Sequence, residues 1–182
     1  MPTITESAEI ELDADTLWKQ IGDFGAVVHW HPLLTTLMVK GAGPGSIRIA
    51  NSGSEEQVER LEASSPGDHW YRYTIDRTQM PVRDYVGEFR IDPVSDHTSR
   101  VVWSAHFELT DAGDGRTVET VRHFLHEGTE CLKSEYGAPS SGEPPGIERG
   151  IADADKATRT GTGREPVRNT PPAGTWNDTS AD

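Results

Sequence analysis

His31 and Glu59 are the two side chains best suited by type and setting to acid–base chemistry. His31 directly precedes Pro32, which restricts the backbone before it, so its imidazole could stand at a pocket mouth and donate to a ligand carbonyl or exchange a proton. A hydrogen-bonded structural histidine explains this residue equally well. Glu59 shares one face of a predicted strand with Leu61, and if that face points inward, burial would raise the pKa of the carboxyl toward that of a general base. The alternative is a solvated edge strand rich in glutamate.

The histidines do not form a recognisable metal-binding motif. The candidates are His29, His31, His106, His123 and His126. The segment 123–127, His-Phe-Leu-His-Glu, lacks the His-Glu-x-x-His order of zinc-binding helices and falls largely on the polar face of a predicted helix. The glycine-rich segment 41–45 precedes a strand and not a helix, so it predicts a hairpin turn rather than a phosphate-binding loop. We therefore expect no metal ion and no organic cofactor.

The only long run with helical periodicity is 118–136. Its apolar positions are Val118, Val121, Leu125 and Leu132. Charged residues share the opposite face, and Gly128 adds no side chain to the apolar stripe. One face of this helix must therefore be covered by the rest of the chain.

Most segments before this helix alternate polar and apolar residues with the two-residue period of a strand. The predicted strands are 3–12, 34–40, 46–51, 55–63, 69–77, 82–91 and 99–109. Asp13 can cap a short helix that ends at Gly22, and a second short helix or turn ends before Pro32. This order predicts an α+β domain in which an antiparallel sheet curls around one long helix.

The inward faces of three predicted strands carry many of the aromatic side chains. Residue parity places the following rings on those faces: Tyr71, Tyr73, Tyr85, Phe89, Trp103 and Phe107. A sheet cannot close tightly on a helix stripe of modest side chains such as Val121, Leu125 and Gly128, so we expect a cavity between the two. Parity alone would also allow these rings simply to fill a core.

Composition limits the partners. The sequence has 182 residues with 17 basic and 30 acidic side chains, a net charge of −13, which repels nucleic acid and anionic lipid surfaces. Cys131 is the single cysteine, so no intramolecular disulfide is possible. The sequence shows no signal peptide and no apolar run of membrane-spanning length. We expect a cytoplasmic protein without membrane insertion, as a monomer or a homodimer.

The segment 138–182 differs in character from the rest. It is rich in proline, glycine, threonine and serine, and its apolar residues are scattered. Such a composition cannot bury enough surface to offset the entropy of ordering the chain. The sequence therefore predicts a folded domain at 1–137 followed by a disordered tail.

A set of short motifs within residues 3–136 resembles a known family. In chain order they are Trp18 to Ile21, Gly22-Asp-Phe-Gly, Trp30-His-Pro, Gly43-Pro-Gly45, Glu59-Arg-Leu-Glu62, Tyr71-Arg-Tyr73, Pro81-Val-Arg-Asp-Tyr85 and Val102-Trp-Ser104. Their order and spacing look like the polyketide cyclase/dehydrase and lipid-transport branch of the START-like (SRPBCC) superfamily. The resemblance implies the helix-grip fold, a curved sheet around the last helix. It specifies activity much less, because the superfamily mixes enzymes, carriers and receptors.

Two classes of function follow, both using the expected cavity. The first is binding of a lipid-like or aromatic, polyketide-like small molecule, as a carrier or sensor; the second is a cofactor-independent cyclase or dehydratase with His31, Glu59 or a tyrosine as acid or base. The residues predicted to contact the ligand are Trp30, Tyr71, Tyr73, Tyr85, Phe89, Trp103, Phe107, Val121, Leu125 and Gly128. A third possibility is an interaction scaffold, favoured if side chains filled the cavity.

Overall fold

The computed structural model describes residues 1–137, which form seven strands and three α-helices. The strands are β1 (Thr3–Ile10), β2 (Thr36–Lys40), β3 (Ile47–Ser52), β4 (Glu55–Ser65), β5 (Trp70–Arg77), β6 (Val82–Ser95) and β7 (Thr98–Leu109). The helices are α1 (Ala14–Ile21), α2 (Val27–Trp30) and α3 (Gly115–Tyr136), and a single 3₁₀ turn lies at Pro66–Asp68. The segment 138–182, expected from its composition to be a disordered tail, lies outside the described residues.

All seven strands belong to one sheet in the order β1-β7-β6-β5-β4-β3-β2, and every neighbouring pair is antiparallel. β1 and β2 are neighbours in sequence but lie at opposite edges of the sheet. The two short helices predicted between them are the connection that crosses from one edge to the other. The predicted α+β class and the helix-grip arrangement are confirmed.

Side-chain capping determines where the helices begin. Asp13 accepts a hydrogen bond from the Thr16 backbone N–H at 2.9 Å, as expected for the N-cap of α1. The Asp114 carboxylate accepts from the N–H groups of Arg116 and Thr117 at 2.9 and 3.3 Å, and the Asp114 N–H donates to the Thr117 hydroxyl at 3.4 Å, which completes a capping box. Because of this cap, α3 begins at Gly115, three residues before the start predicted from apolar periodicity.

The parity prediction for β5, β6 and β7 is confirmed. Their inward side chains are buried, namely Tyr71, Tyr73, Tyr85, Phe89, Ile91, Val101, Trp103, Ala105 and Phe107. The apolar face of α3 covers them with Val121, Leu125 and Leu132, all of which are also buried. The core therefore lies between the concave face of the sheet and α3.

The pairing of the strands is irregular at several places that the sequence did not predict. The β4–β5 register shifts at Val58/Glu59 and Leu61/Ala63, and the β6–β7 register shifts between Arg83 and Val86, where Asp84 has a φ of 50°. Such bulges bend strands and increase their twist. β6 also continues to Ser95, so it includes most of the segment 92–96 that was predicted to be a turn.

Among residues 1–137, no helix is both long and apolar enough to cross a membrane.

Candidate functional site

A cavity of about 150 Å³ lies between α3 and the inner faces of β3 to β7. Its buried end is lined by Val27, Arg48, Ala50, Glu59, Tyr73, Tyr85, Trp103 and Val121. Its outer end is lined by half-buried and exposed residues of the β3–β4 turn, the β5–β6 loop and α3, including Ser52, Glu55, Thr78, Met80, Thr120 and His123. The cavity thus has a closed inner end and a mouth.

The closed end holds a buried ion pair between Arg48 and Glu59. These residues face each other across the β3–β4 hairpin, and they are 2% and 4% exposed. The Arg48 Nε donates to Glu59 Oε2, and Nη1 donates to the Phe24 carbonyl at 2.7 Å. Burial is the largest influence on the pKa of Arg48 and lowers it, but the Glu59 carboxylate together with Tyr71 and Tyr73 outweighs burial and raises this pKa above its ordinary value. The closed end therefore contains one positive and one negative side chain, which neutralise each other.

The Arg48 guanidinium also contacts two aromatic rings. Its Cζ lies 4.2 Å from the Phe24 ring centroid and 4.7 Å from that of Tyr73, within cation–π range. Arg48 is not evident as a buried residue from the sequence, because Ile47 and Ile49 beside it favour burial of the opposite face of β3. The signal that could have found it is the hairpin register, in which the 52–55 turn sets Arg48 opposite Glu59.

A chain of polar contacts runs from this pair toward the mouth. Gln57 Nε2 donates to Glu59 Oε1 at 2.7 Å, and the Thr78 hydroxyl donates to Gln57 Oε1 at 3.4 Å. Both carboxylate oxygens of Glu59 therefore already accept a hydrogen bond. Glu59 lies inward, as the general-base hypothesis required, and not on a solvated edge strand, but both of its carboxylate oxygens are hydrogen-bonded within the wall, so it is not a free base.

The aromatic wall is positioned by a glycine. Tyr73 pairs across the ladder with Gly87, and its ring occupies the space that a Gly87 side chain would need. The Tyr73 hydroxyl accepts a hydrogen bond from Trp103 Nε1 at 3.1 Å. Burial raises the pKa of both Tyr73 and Tyr85, so both phenols are protonated at neutral pH. These rings present apolar faces with hydroxyl tips to the cavity.

His31 is not on the cavity wall. Its ring is 2% exposed and stacks on Phe124 with 4.0 Å between centroids. Nε2 lies 2.9 Å from the Phe124 carbonyl and Nδ1 accepts from the Leu33 N–H at 3.2 Å, so the network assigns the neutral tautomer with the proton on Nε2. Burial lowers the pKa of His31 to about 4. The position at a pocket mouth expected from the sequence is wrong, and the structural alternative describes this residue.

The structure divides the predicted ligand contacts into two groups. Tyr73, Tyr85, Trp103 and Val121 line the cavity together with Glu59. The others do not line it and pack in the core, namely Trp30, Tyr71, Phe89, Phe107 and Leu125. Residue parity identifies the face on which a side chain lies but not its position along the sheet. The predicted ligand contacts therefore included the inward side chains of the whole sheet and not only those beside the cavity.

Gly128 also differs from its predicted role. A Cβ at this position would lie 2.7 Å from His31 Cδ2 and 2.8 Å from Trp103 Cζ3. The space beside Gly128 is thus filled by two protein rings and not left for a ligand.

Residues 1–137 match the profile of a family described as polyketide cyclase/dehydrase and lipid transport. No curated protein matches the sequence significantly. Among solved structures, XoxI from Bacillus cereus superposes with a TM-score of 0.70 at 23% identity, over 75% of this chain and 96% of that one. The Zhui aromatase/cyclase from Streptomyces sp. R1128 gives 0.62 at 15%, over 74% and 92%. A START superfamily protein from Mycobacterium smegmatis gives 0.61 at 13%, over 74% and 97%.

At these identities the structural likeness shows the shared fold alone. The family profile, by contrast, spans every residue that the structure describes, and the curved seven-stranded sheet around α3 is the fold of the START-like neighbours. The chain therefore belongs to the polyketide cyclase/dehydrase and lipid-transport family.

Proposed function

We propose that this protein binds a hydrophobic small molecule in the cavity under α3, as a carrier or sensor. The observation that carries the proposal is the closed inner end, where the buried side chains of Tyr73, Tyr85, Trp103 and Val121 line open space. A concave, mostly apolar site with a few placed polar groups is the usual form of a small-molecule site. The family and its neighbours support the same reading at the level of class.

The volume limits what the cavity can hold. A volume of about 150 Å³ matches that of an engineered apolar cavity known to accept benzene. The cavity thus suits one aromatic ring or a short branched chain. A longer lipid-like or polyketide-like ligand would place one end inside and extend through the mouth between Glu55 and Thr120.

Calorimetric titration with 2-phenylethanol tests binding directly. This neutral ligand brings one ring and one hydroxyl, and we expect a Kd on the order of 100 µM, about 5.5 kcal/mol. Ala50 lies on the cavity wall and is buried, so Ala50→Phe should fill the space and abolish binding. Thr5→Phe, which adds the same ring on an exposed position of β1, is the matched control.

Folding of each variant is checked by near-ultraviolet circular dichroism. If Ala50→Phe does not fold, Val121→Ala provides the opposite test, because a wider cavity should bind the larger 2-naphthylethanol more tightly than the wild type does. Binding by Ala50→Phe equal to that of the wild type, or no binding by the wild type at millimolar ligand, contradicts the proposal.

A cofactor-independent cyclase or dehydratase is the second candidate, because a carboxylate and a phenol, Glu59 and Tyr85, line the same cavity. In a dehydration, Glu59 would remove the proton beside a ketone and Tyr85 would protonate the leaving hydroxide, which releases water. Glu59 could act only after Gln57 released Oε1.

A β-hydroxyketone with one aromatic ring, 4-hydroxy-4-phenylbutan-2-one, tests this second candidate, because its enone product absorbs in the near ultraviolet. Turnover by the wild type that Tyr85→Phe loses, with 2-phenylethanol binding retained, would support the enzyme. If the dehydration rate with the protein equals the rate in buffer, the enzyme hypothesis is wrong and only the binding function stands.

A further inference from the structure

The charges around the cavity are unequal. Its lining includes the carboxylates of Glu55, Glu56 and Glu59 and one guanidinium, that of Arg48. Arg48 neutralises Glu59 within the wall, and Arg77 forms an ion pair with Glu56. Within the described part of the chain, Glu55 makes no ion pair, and it lies exposed at the mouth. The one carboxylate at the mouth without a cationic partner therefore stands where the polar end of a ligand would emerge.

The orientation of Gln57 adds a hydrogen-bond acceptor to the same wall. An ionised carboxylate only accepts hydrogen bonds, so the contact with Glu59 at 2.7 Å must come from the Gln57 amide nitrogen. This fixes the amide carbonyl toward Thr78, whose hydroxyl is 3.4 Å away and leaves room for a better donor. A ligand N–H or O–H could therefore replace the Thr78 contact.

The charge of the whole protein also favours a positively charged ligand. The net charge of −13 gives the whole protein a field that attracts cations.

We propose that the natural ligand is a cationic amphiphile, an apolar ring or short chain that carries a protonated amine. Its apolar part lies against Tyr73, Tyr85 and Trp103, and its amine lies at the mouth between the Gln57 carbonyl and the Glu55 carboxylate. This inference rests on the proposed binding function and adds the chemical class of the ligand. A carboxylate-bearing ligand would instead meet Glu55 with like charge.

Three ligands that share a phenyl ring and a two-carbon side chain test the inference: 2-phenylethylamine, 2-phenylethanol and phenylacetate. By calorimetry at about 20 mM salt, where screening is weak, the amine should bind about 10-fold more tightly than the alcohol, and phenylacetate at least about 10-fold more weakly. At about 0.5 M salt the advantage of the amine should shrink to about 2-fold, since Glu55 is exposed and its field is screened.

Paired variants assign the preference to one residue. Glu55→Gln should reduce the preference for the amine over the alcohol by about 3-fold or more, because it removes the charge that faces the amine. Glu62→Gln removes the same charge from the same strand at an exposed position away from the cavity, so it should leave the preference unchanged. Gln57→Leu should weaken the amine and the alcohol and not affect phenylacetate.

The outcomes separate the inference from the function on which it rests. If the alcohol binds and the amine binds no more tightly at low salt, the ligand is not a cation and only the inference fails. If phenylacetate binds most tightly, the Arg48 guanidinium is the anchor and the inference is again wrong. If none of the three ligands binds, both the inference and the proposed binding function are wrong.

Discussion

The Arg48–Glu59 pair places two opposite charges at the closed end of a cavity that is otherwise aromatic. Each side chain has several partners, which include the Phe24 carbonyl and the Gln57 amide. A buried charge needs such partners, because desolvation costs several kcal/mol per ion. The pair adds little net stability compared with apolar side chains, but the loss of one partner leaves the other charge unanswered.

Glu59→Gln should lower the free energy of unfolding by about 3–5 kcal/mol, because the Arg48 guanidinium would stay buried without a counter-charge. Urea denaturation at pH 7 measures this change. The double variant Arg48→Met, Glu59→Leu should recover most of the loss, since both charges are then absent. If Glu59→Gln is as stable as the wild type, water reaches the Arg48 guanidinium and the prediction is wrong.

His31 makes stability depend on pH. Burial lowers its pKa to about 4, whereas the unfolded chain has a histidine pKa of about 6.5. Between these values the unfolded state binds more protons than the folded state, so stability rises with pH through this window and falls as the pH drops. From pH 7 to pH 5, His31 alone should remove about 2 kcal/mol of the free energy of unfolding.

The comparison with His31→Gln isolates this contribution from that of the carboxylates. Urea denaturation at pH 7 and pH 5 should show a decrease about 2 kcal/mol larger in the wild type than in the variant. Equal decreases in the two proteins would place the His31 imidazole in contact with solvent.

At the scale of elements, the docking of α3 depends on one glycine. Gly128 lets the helix lie directly on the rings of His31 and Trp103, and His31 Nε2 donates to the carbonyl of Phe124 one turn earlier in the same helix. The Phe124 ring also stacks on the His31 ring. The short helix α2 and its following residue thus fix the long helix in place, and the cavity forms beside this contact.

Gly128→Ala should destabilise the protein by about 1–3 kcal/mol although alanine is the better helix former, because the new methyl group overpacks against the two rings. Thermal and urea unfolding measure the change. Ser134→Ala, at an exposed position of the same helix, should be neutral or slightly stabilising. A gain in stability for both variants would show that α3 can move away from His31.

At the scale of the whole molecule, the outer face of the sheet is covered by ion pairs between neighbouring strands. Examples are Arg60–Asp76, Arg72–Glu88, Arg83–Glu108 and Arg100–Glu9. Exposed pairs of this kind contribute little to stability. They do match charges across the face of an acidic protein, where like charges directly opposite each other would be destabilising.

Removal of the segment 138–182 tests the domain boundary. The family profile ends at residue 137, and the composition beyond it does not support a core. A chain that ends at Gly137 should therefore keep its melting temperature within about 5 °C, measured by calorimetry on both lengths of the protein. A decrease of about 10 °C or more would show that the segment packs on the domain.

The sequence by itself determined the class of fold and the inner faces of β5, β6 and β7. The two-residue alternation of Tyr71 and Tyr73, the apolar stripe from Val121 to Leu132 and the Asp13 cap are local features, and local physics is written in the sequence. The order of the motifs was enough to identify the family. Only the tertiary structure decided which inward side chains line the cavity, because that depends on where α2 and α3 cross the curved sheet. It alone showed that His31 contacts α3 and helps to fix its position. It also showed that protein rings occupy the space beside Gly128 and that Arg48 is buried at the closed end of the cavity. Each of these depends on a partner distant in the chain or across a hairpin, and a one-dimensional pattern of polarity does not encode such contacts.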